Sequence, residues 1–291
     1  YLLWHHEIED LLVLKNNKGT PETRVRKMDY SVQINNYLYN KLVKGEDITL
    51  FSPSEKETPG LRKAFFSDPA KFIELYESYE KDETIKKKTI NSLELFSKLM
   101  IERKDTGRIF IVNVDNVNNC SPFMEPIKLS NLCQEVLLPT NPMKTLNDSD
   151  GRVALCTLSA INLGNIKNLD DLEKIMYNAV SKLDNLLDYQ DYMVIAAREA
   201  TLDYRPLGIG VVNLAYYLAK NGYKFSDDGA LQLLHDTFEA ISFYAIKASM
   251  ELAKAKGPCR LFNETKYAKG IMPIDRYNKN VDKIIKPVYK L

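Results

Sequence analysis

The chain has 291 residues, 40 basic against 39 acidic, with 45% hydrophobic and 10% aromatic side chains. A net charge of +1 excludes a global field that would draw it to nucleic acid or to a membrane surface, and the apolar fraction excludes the disordered class. No apolar run approaches the roughly 20 residues that cross a bilayer and no signal-peptide pattern is seen, so the expectation is a cytoplasmic protein of one large or two ordinary domains.

In chain order, residues 5–14 carry a helical apolar pattern that ends at Asn16-Asn17-Lys18-Gly19, where glycine suits a left-handed C-terminal position. Asp29 is placed to cap a second helix whose buried stripe would be Val32, Ile34, Leu38, Leu42 and Val43, up to Gly45. Residues 48–51 read as a short strand. Two helices follow, one from about Asp68-Pro69 to Glu80 and one from about Ile90 to Arg103, with faces rich in Glu and Lys that read as solvated surface. Residues 108–114 alternate apolar and polar after Gly107, the strand signature. A long helix runs from about Leu169 to Leu187, capped by Asn168 or Asp170. Gly208 and Gly210 flank Ile209 in an apolar run leading towards Lys220; with no third glycine, close strand packing is expected rather than a dinucleotide loop. Asp227 or Asp228 opens a last long helix that reaches about Lys256 and stops at Gly257-Pro258. Strands separated by helices predict an α/β fold.

Metal chemistry finds little support. The four cysteines, at 120, 133, 156 and 259, form no Cys-x-x-Cys pair, and no histidine stands at zinc-ligand spacing. His5 and His6, beside Glu7 and Glu9, read as packed or solvated, and His235 has no evident partner on its helix.

The stretch Ser130-Asn131-Leu132-Cys133-Gln134-Glu135 is where chemistry is expected. In an extended segment, alternation puts the amide of Asn131, the thiol of Cys133 and the carboxylate of Glu135 on one side. The apolar run Val136-Leu137-Leu138, ended by Pro139, would anchor the loop that projects them. Taken alone, the triplet also fits a structural cysteine with two chance polar neighbours. Cys156 lies in the apolar, β-prone run Ala154-Leu155-Cys156-Thr157-Leu158-Ser159, linked to the first stretch by a turn-rich segment, so two adjacent strands would bring the cysteines close.

These two stretches resemble the large, catalytic subunit of class I ribonucleotide reductases, of the aerobic type found in enteric bacteria and their phages. The likeness extends from Trp4-His5-His6-Glu7 through Asp188-Tyr189-Gln190-Asp191-Tyr192 and Leu207-Gly208-Ile209-Gly210 to Phe262-Asn263-Glu264-Thr265. It implies an α/β fold forming part of a ten-stranded α/β barrel with a central finger loop, residues 1–291 being one part of a single catalytic barrel domain. It implies thiyl-radical reduction of ribonucleoside diphosphates, with Cys133 as the radical, Glu135 as general base, Asn131 orienting the sugar hydroxyls, Ser130 beside them at the substrate, and Cys156 as one of two redox thiols. The second redox cysteine of the family would precede Tyr1; Cys120 and Cys259 are candidates by composition only. Arg108 aligns with an arginine near the family's tyrosine relay, and an ordinary strand-edge arginine fits equally. The Tyr216-Tyr217 pair is set aside as that relay, because it has core spacing in a helix.

No cofactor is expected on this chain. The resemblance implies a metal–tyrosyl radical on a separate small subunit, ATP and dNTP effectors bound outside this segment, thioredoxin or glutaredoxin as reductant, complementary large-subunit segments, and a homodimer of the full subunit. The helical pattern that opens at Tyr1 and the end at residues 283–291, without a stop signal, lead us to expect a fragment or one piece of a split chain, inactive alone. The competing class is a noncatalytic relic that keeps the fold and acts only as a structural partner.

Overall fold

The computed structural model describes residues 1–275, so the expectation for residues 283–291 lies outside the described residues. It is of the α/β class, with two compact units, residues 1–121 and residue 122 onward.

In the first unit, α1 (Ile8–Leu12) is followed by a 3₁₀ turn at Val13–Lys15, a shorter helix than the pattern of residues 5–14 suggests. His5 instead makes a parallel bridge to Phe51, which holds the chain straight before α1. β1 (Tyr30–Ile34) comes next. The helix expected to start at Asp29 starts later, because Asn35, in an extended conformation, accepts from the Leu38 N–H at 3.1 Å and opens α2 (Asn36–Lys44). Val32 and Ile34, counted in the helix stripe, are strand residues. Their branched side chains suit a parallel strand buried on both faces, and Asp29 pairs with Lys15 at 2.5 Å. Gly45, at φ 69°, closes α2 where a residue with a Cβ would be strained.

β2 (Asp47–Phe51) is followed by α3 (Leu61–Ser67) and by α4 (Pro69–Lys81), whose N-cap is Asp68 with proline at the first position. β3 (Lys87–Asn91) then pairs antiparallel with β2, Asp47 opposite Asn91. The sequence hides this strand under lysines. Lys87 Nζ is turned inward, donating to the carbonyls of Tyr79, Glu80 and Asp82 (3.2, 2.8 and 2.6 Å) and so satisfying the open end of α4. Asn91 caps α5 (Ser92–Thr106) through Glu94 N–H, which moves that helix two residues past its expected start. β4 (Ile109–Asn113) and α6 (Val114–Cys120) complete the unit. β4 lies parallel to β1, Tyr30 opposite Ile109. Trp4, Phe51, Phe65, Phe72 and Tyr76 are fully buried at the centre. The expected solvated charge pairs are present, Lys98 to Glu94 at 2.8 Å and Lys71 to Glu74 at 2.6 Å.

In the second unit, β5 (Leu158–Asn162), α7 (Asp171–Tyr189), α8 (Ile195–Tyr204), β6 (Gly208–Val212), α9 (Leu214–Lys220) and α10 (Asp228–Lys256) follow in order. β5 and β6 are parallel, Leu158 opposite Gly208. A Cβ on Gly208 would lie 2.3 Å from Leu158 Cδ2, so this glycine serves close strand packing, as the sequence suggests. α7 and α10 cover the pair through Ile161, Leu172, Met176, Ile241 and Tyr244. Tyr217 is buried, its hydroxyl 3.0 Å from Thr237 Oγ1, while Tyr216 is 57% exposed. Among the described residues no helix is long and apolar enough to cross a membrane.

Candidate active site

The site lies within the second unit, where residues 130–138 fold back on themselves. They are not extended: Gln134 and Leu137 have φ of 60° and 54°, the left-handed region, so Asn131, Cys133 and Glu135 do not alternate to one side as expected. Side chains that hydrogen-bond locally to the backbone take the segment out of the strand. The Asn131 carbonyl accepts from Gln134 N–H at 3.1 Å, and its side-chain Oδ1 accepts from Val136 N–H at 3.2 Å and from the Ser130 hydroxyl at 3.0 Å. Ser130 Oγ in turn accepts from Leu138 N–H at 3.0 Å. Of the apolar run, Leu138 is buried and anchors the turn as anticipated, while Val136 and Leu137 are half-buried.

The remaining capacity of Asn131 decides what the turn presents. Its Nδ2 donates to Glu135 Oε2 at 2.6 Å and to Cys156 Sγ at 2.8 Å. Both amide hydrogens and the amide oxygen are therefore committed, and the residue is only 3% exposed. The carboxamide is a rigid bridge between a carboxylate and a thiol 25 residues away. Cys133 and Leu132 stand exposed on the same turn, Leu132 by 65%.

Cys156 is not inside a strand. It precedes β5 by two residues, and Gly208 N–H holds the next residue by donating to the Thr157 carbonyl at 3.0 Å. The two cysteines are thus brought together by a turn against the entrance of a strand, not by adjacent strands. Both are free thiols. Burial pushes the Cys156 thiol up to about 11, helped by the Glu135 carboxylate that accepts its S–H and by the charges of Glu135 and Cys133, while the Asn131 amide works the other way. Burial pushes the Glu135 carboxyl up too, but hydrogen bonds from the Cys156 thiol, from its own backbone N–H and from Asn131 outweigh it and leave the group below its ordinary value. At neutral pH the pair is a carboxylate facing a protonated thiol.

Other expected residues lie elsewhere. Arg108 belongs to the first unit, where its backbone N–H donates to Thr106 Oγ1 at 3.4 Å and its charge acts on Asp29. Cys120 is exposed at the end of α6, and Cys259 is half-buried. His5 and His6 stack at 4.7 Å between ring centroids, His5 Nδ1 accepts from Glu7 N–H at 3.1 Å and His6 is exposed, the packed or solvated role anticipated. His235 corrects the sequence reading: its neighbour Asp236 lies 3.4 Å from its Nδ1, and Glu239, one turn along α10 on the same face, lies 3.9 Å away.

Sequence reasoning missed Arg152. Its Nε donates to Asp203 Oδ2 at 2.6 Å. A charge four residues before a cysteine in an apolar run was the available signal, since such a charge needs a buried partner.

The family model that describes the barrel domain of ribonucleotide reductases matches residues 1–288. The chain belongs to the ribonucleotide reductase barrel-domain family. The chain is 58% identical to the ribonucleoside-diphosphate reductase alpha subunit of Haemophilus influenzae over 98% of its own length. Identity to the Escherichia coli K12 protein of that kind is 57% over 98% of the chain, and to that of Enterobacteria phage T4 it is 46% over 99%. In all three cases the chain spans about 38% of the relative's length.

Proposed function

We propose that this chain supplies the thiol-bearing core of a ribonucleoside-diphosphate reductase, converting ribonucleoside diphosphates to deoxyribonucleoside diphosphates for DNA synthesis. The observation that carries the reading is the Asn131 carboxamide, which joins Glu135 to Cys156 at hydrogen-bond distance on the turn that exposes Cys133. A noncatalytic relic has no need to hold these groups in register.

The 2′-hydroxyl of a ribose leaves poorly, and its replacement by hydrogen needs two electrons and a proton at the departing oxygen. Cys133, as a thiyl radical, takes the 3′-hydrogen: the C–H bond breaks and an S–H bond forms. Glu135, held ionised by its hydrogen bonds, accepts the proton of the 3′-hydroxyl. Cys156, held protonated, gives its proton to the departing 2′-hydroxyl, which leaves as water. Cys156 and a second thiol outside this chain supply the two electrons and end as a disulfide, the hydrogen of the second thiol going to C2′; Glu135 returns its proton to the 3′-oxygen, and Cys133 returns its hydrogen to C3′. Thioredoxin or glutaredoxin then resets the disulfide by exchange. A metal–tyrosyl radical on a separate small subunit supplies the oxidising equivalent when that subunit is present. Ser130 and Asn131 position the sugar hydroxyls, Asn131 by exchanging one of its protein bonds for a bond to substrate. Arg108 sits beside the tyrosine relay, and ATP and dNTP effectors, the complementary segments and the homodimer contacts involve parts outside residues 1–291.

The test is peptide mapping of the intact enzyme after one turnover with external reductant withheld. Cys156 is expected in a disulfide with a cysteine outside this chain, in proportion to the deoxynucleotide formed. Product formed with Cys156 still a free thiol would remove the redox role.

A further inference from the structure

The segment that carries Cys156 is fastened at both ends to one stretch of chain. Upstream, Arg152 donates to Asp203, which is buried near the end of α8. Downstream, the Thr157 carbonyl accepts from Gly208, where β6 begins. The anchors are five residues apart on both sides, 152 to 157 and 203 to 208, so the two segments run alongside one another with Cys156 between the fastenings. Val153 N–H adds a bond to the Ala196 carbonyl of α8 at 3.2 Å.

Arg152 also holds the other arm of the site. Its backbone N–H and carbonyl exchange hydrogen bonds with Asn141 at 2.8 and 3.0 Å, three residues beyond Leu138, whose N–H closes the turn on Ser130. Its Nη1 donates to the carbonyls of Ser149 and Gly151 at 2.6 and 2.7 Å, closing the intervening loop. At Gly151 a Cβ would lie 2.6 Å from that of Met143, so the loop has no slack there. One residue therefore ties down the end of the turn segment through its backbone, and the loop between the cysteines and the approach to Cys156 through its side chain. The Asp203 side chain is 7% exposed and that of Arg152 30%, a pairing shielded enough to be stiff.

We propose that the Arg152–Asp203 pair is a positioning device that sets the placement of the Cys156 sulfur against Asn131 and Glu135, acting through Cys156 and not on the substrate. Its consequence for turnover rests on the reductase reading given above, whereas its consequence for the thiol does not. Arg260 Nη1 stands 3.8 Å from the other oxygen of Asp203. That second cation remains beside the carboxylate when Arg152 is removed, so Arg152→Ala is expected to retain the fold.

The experiment is iodoacetamide alkylation of the intact protein from pH 7 to 11, with Cys156 and Cys133 quantified separately by peptide mass spectrometry. In Arg152→Ala and Asp203→Asn, Cys156 is expected to react at lower pH than in the wild type, the thiolate fraction at a given pH below the pKa rising about tenfold for each unit by which the thiol's pKa falls. Cys133 keeps its profile, Arg152→Lys gives an intermediate one, and reductase kcat falls with KM unchanged. A Cys156 profile that coincides with the wild type in both variants, with circular dichroism and Tm preserved, overturns the inference, whatever the turnover. If Arg152→Ala does not fold, Asp203→Asn, which keeps shape and volume, decides alone. A Cys156 profile shifted in the variants, together with a wild-type assembly that reduces no nucleotide, would remove the proposed function and leave the positioning inference standing.

Discussion

The centre of the first unit and the thiol-bearing turn of the second are held together by different forces. In the former, rings meet rings: Phe72 lies 5.2 Å from Phe65 and 5.4 Å from Tyr76 between centroids, and the Tyr76 hydroxyl is satisfied by Thr49 N–H and C=O at 2.8 and 2.6 Å. In the latter, one carboxamide makes four bonds and two residues accept left-handed backbone at about 1–2 kcal/mol each. Packing tolerates an exchange of polar surface but not a loss of volume. A polar network tolerates a change of volume at its exposed rim but not a lost donor or acceptor. The difference matters for function, because a site whose groups are placed by directional bonds keeps its thiols accessible while their geometry stays fixed.

The largest effect expected is at Cys133. Neither Cys133→Ser nor Cys133→Ala can carry a thiyl radical, so each should abolish nucleotide reduction in the assembled enzyme while Tm stays within about 0.5 kcal/mol equivalent, as for exposed positions. Turnover in the serine variant would separate the exposed turn from the chemistry and sink the assignment.

Glu135→Gln comes next, with kcat falling by about 10²–10⁴ for a lost general base and the fold intact. Its pH profile has a definite sign. The Glu135 carboxyl is depressed in the folded protein, so activity that needs the carboxylate is present above that low value and lost as pH falls through it. The Cys156 thiol is raised to about 11, so activity that needs the protonated thiol is present at neutral pH and lost as pH rises towards that value. The glutamine variant should lose the acidic limb alone; an unchanged profile would show that Glu135 is not the base.

Phe72→Ala probes the opposite side of the comparison. Deleting a fully buried ring from the aromatic cluster should cost about 3–5 kcal/mol, read in denaturant or thermal unfolding. A cost below about 1.5 kcal/mol, the range of volume-conserving swaps, would mean that the first unit is not governed by packing.

Asn131→Ala should cost about 1–3 kcal/mol, since buried donors are left without acceptors. It should also move the onset of Cys156 alkylation, because the amide contacts the sulfur directly. A stability loss with no change at Cys156 would reduce the carboxamide to a turn-former. The smallest effect is expected at Leu132, apolar yet 65% exposed: Leu132→Ser should shift stability by no more than about 0.5 kcal/mol. A loss several times larger would show that packing reaches into the turn after all.

Much of this molecule is determined by its sequence alone. The α/β class, α4 from its Asp68-Pro69 start, α10 up to Gly257 and the packing role of Gly208 all follow from signals within a few residues: caps, breakers and periodicity. The choice of Asn131, Cys133, Glu135 and Cys156 as the residues of interest also came from their types and order. Tertiary structure decided the rest, wherever a residue's partner lies far along the chain. β1 looked helical because nothing local announces Ile109–Asn113 as its partner, and β3 went unread because the carbonyls that accept from Lys87 belong to another element. The same holds at the site. Alternation predicted an extended triplet, but Ser130 and Asn131 bond the backbone into a turn, and the bridge from Glu135 to Cys156 closes only when β5 and β6 bring a residue 25 positions away to the same amide. Local propensity is written in neighbours, whereas a hydrogen bond between distant residues becomes available only after the chain has folded.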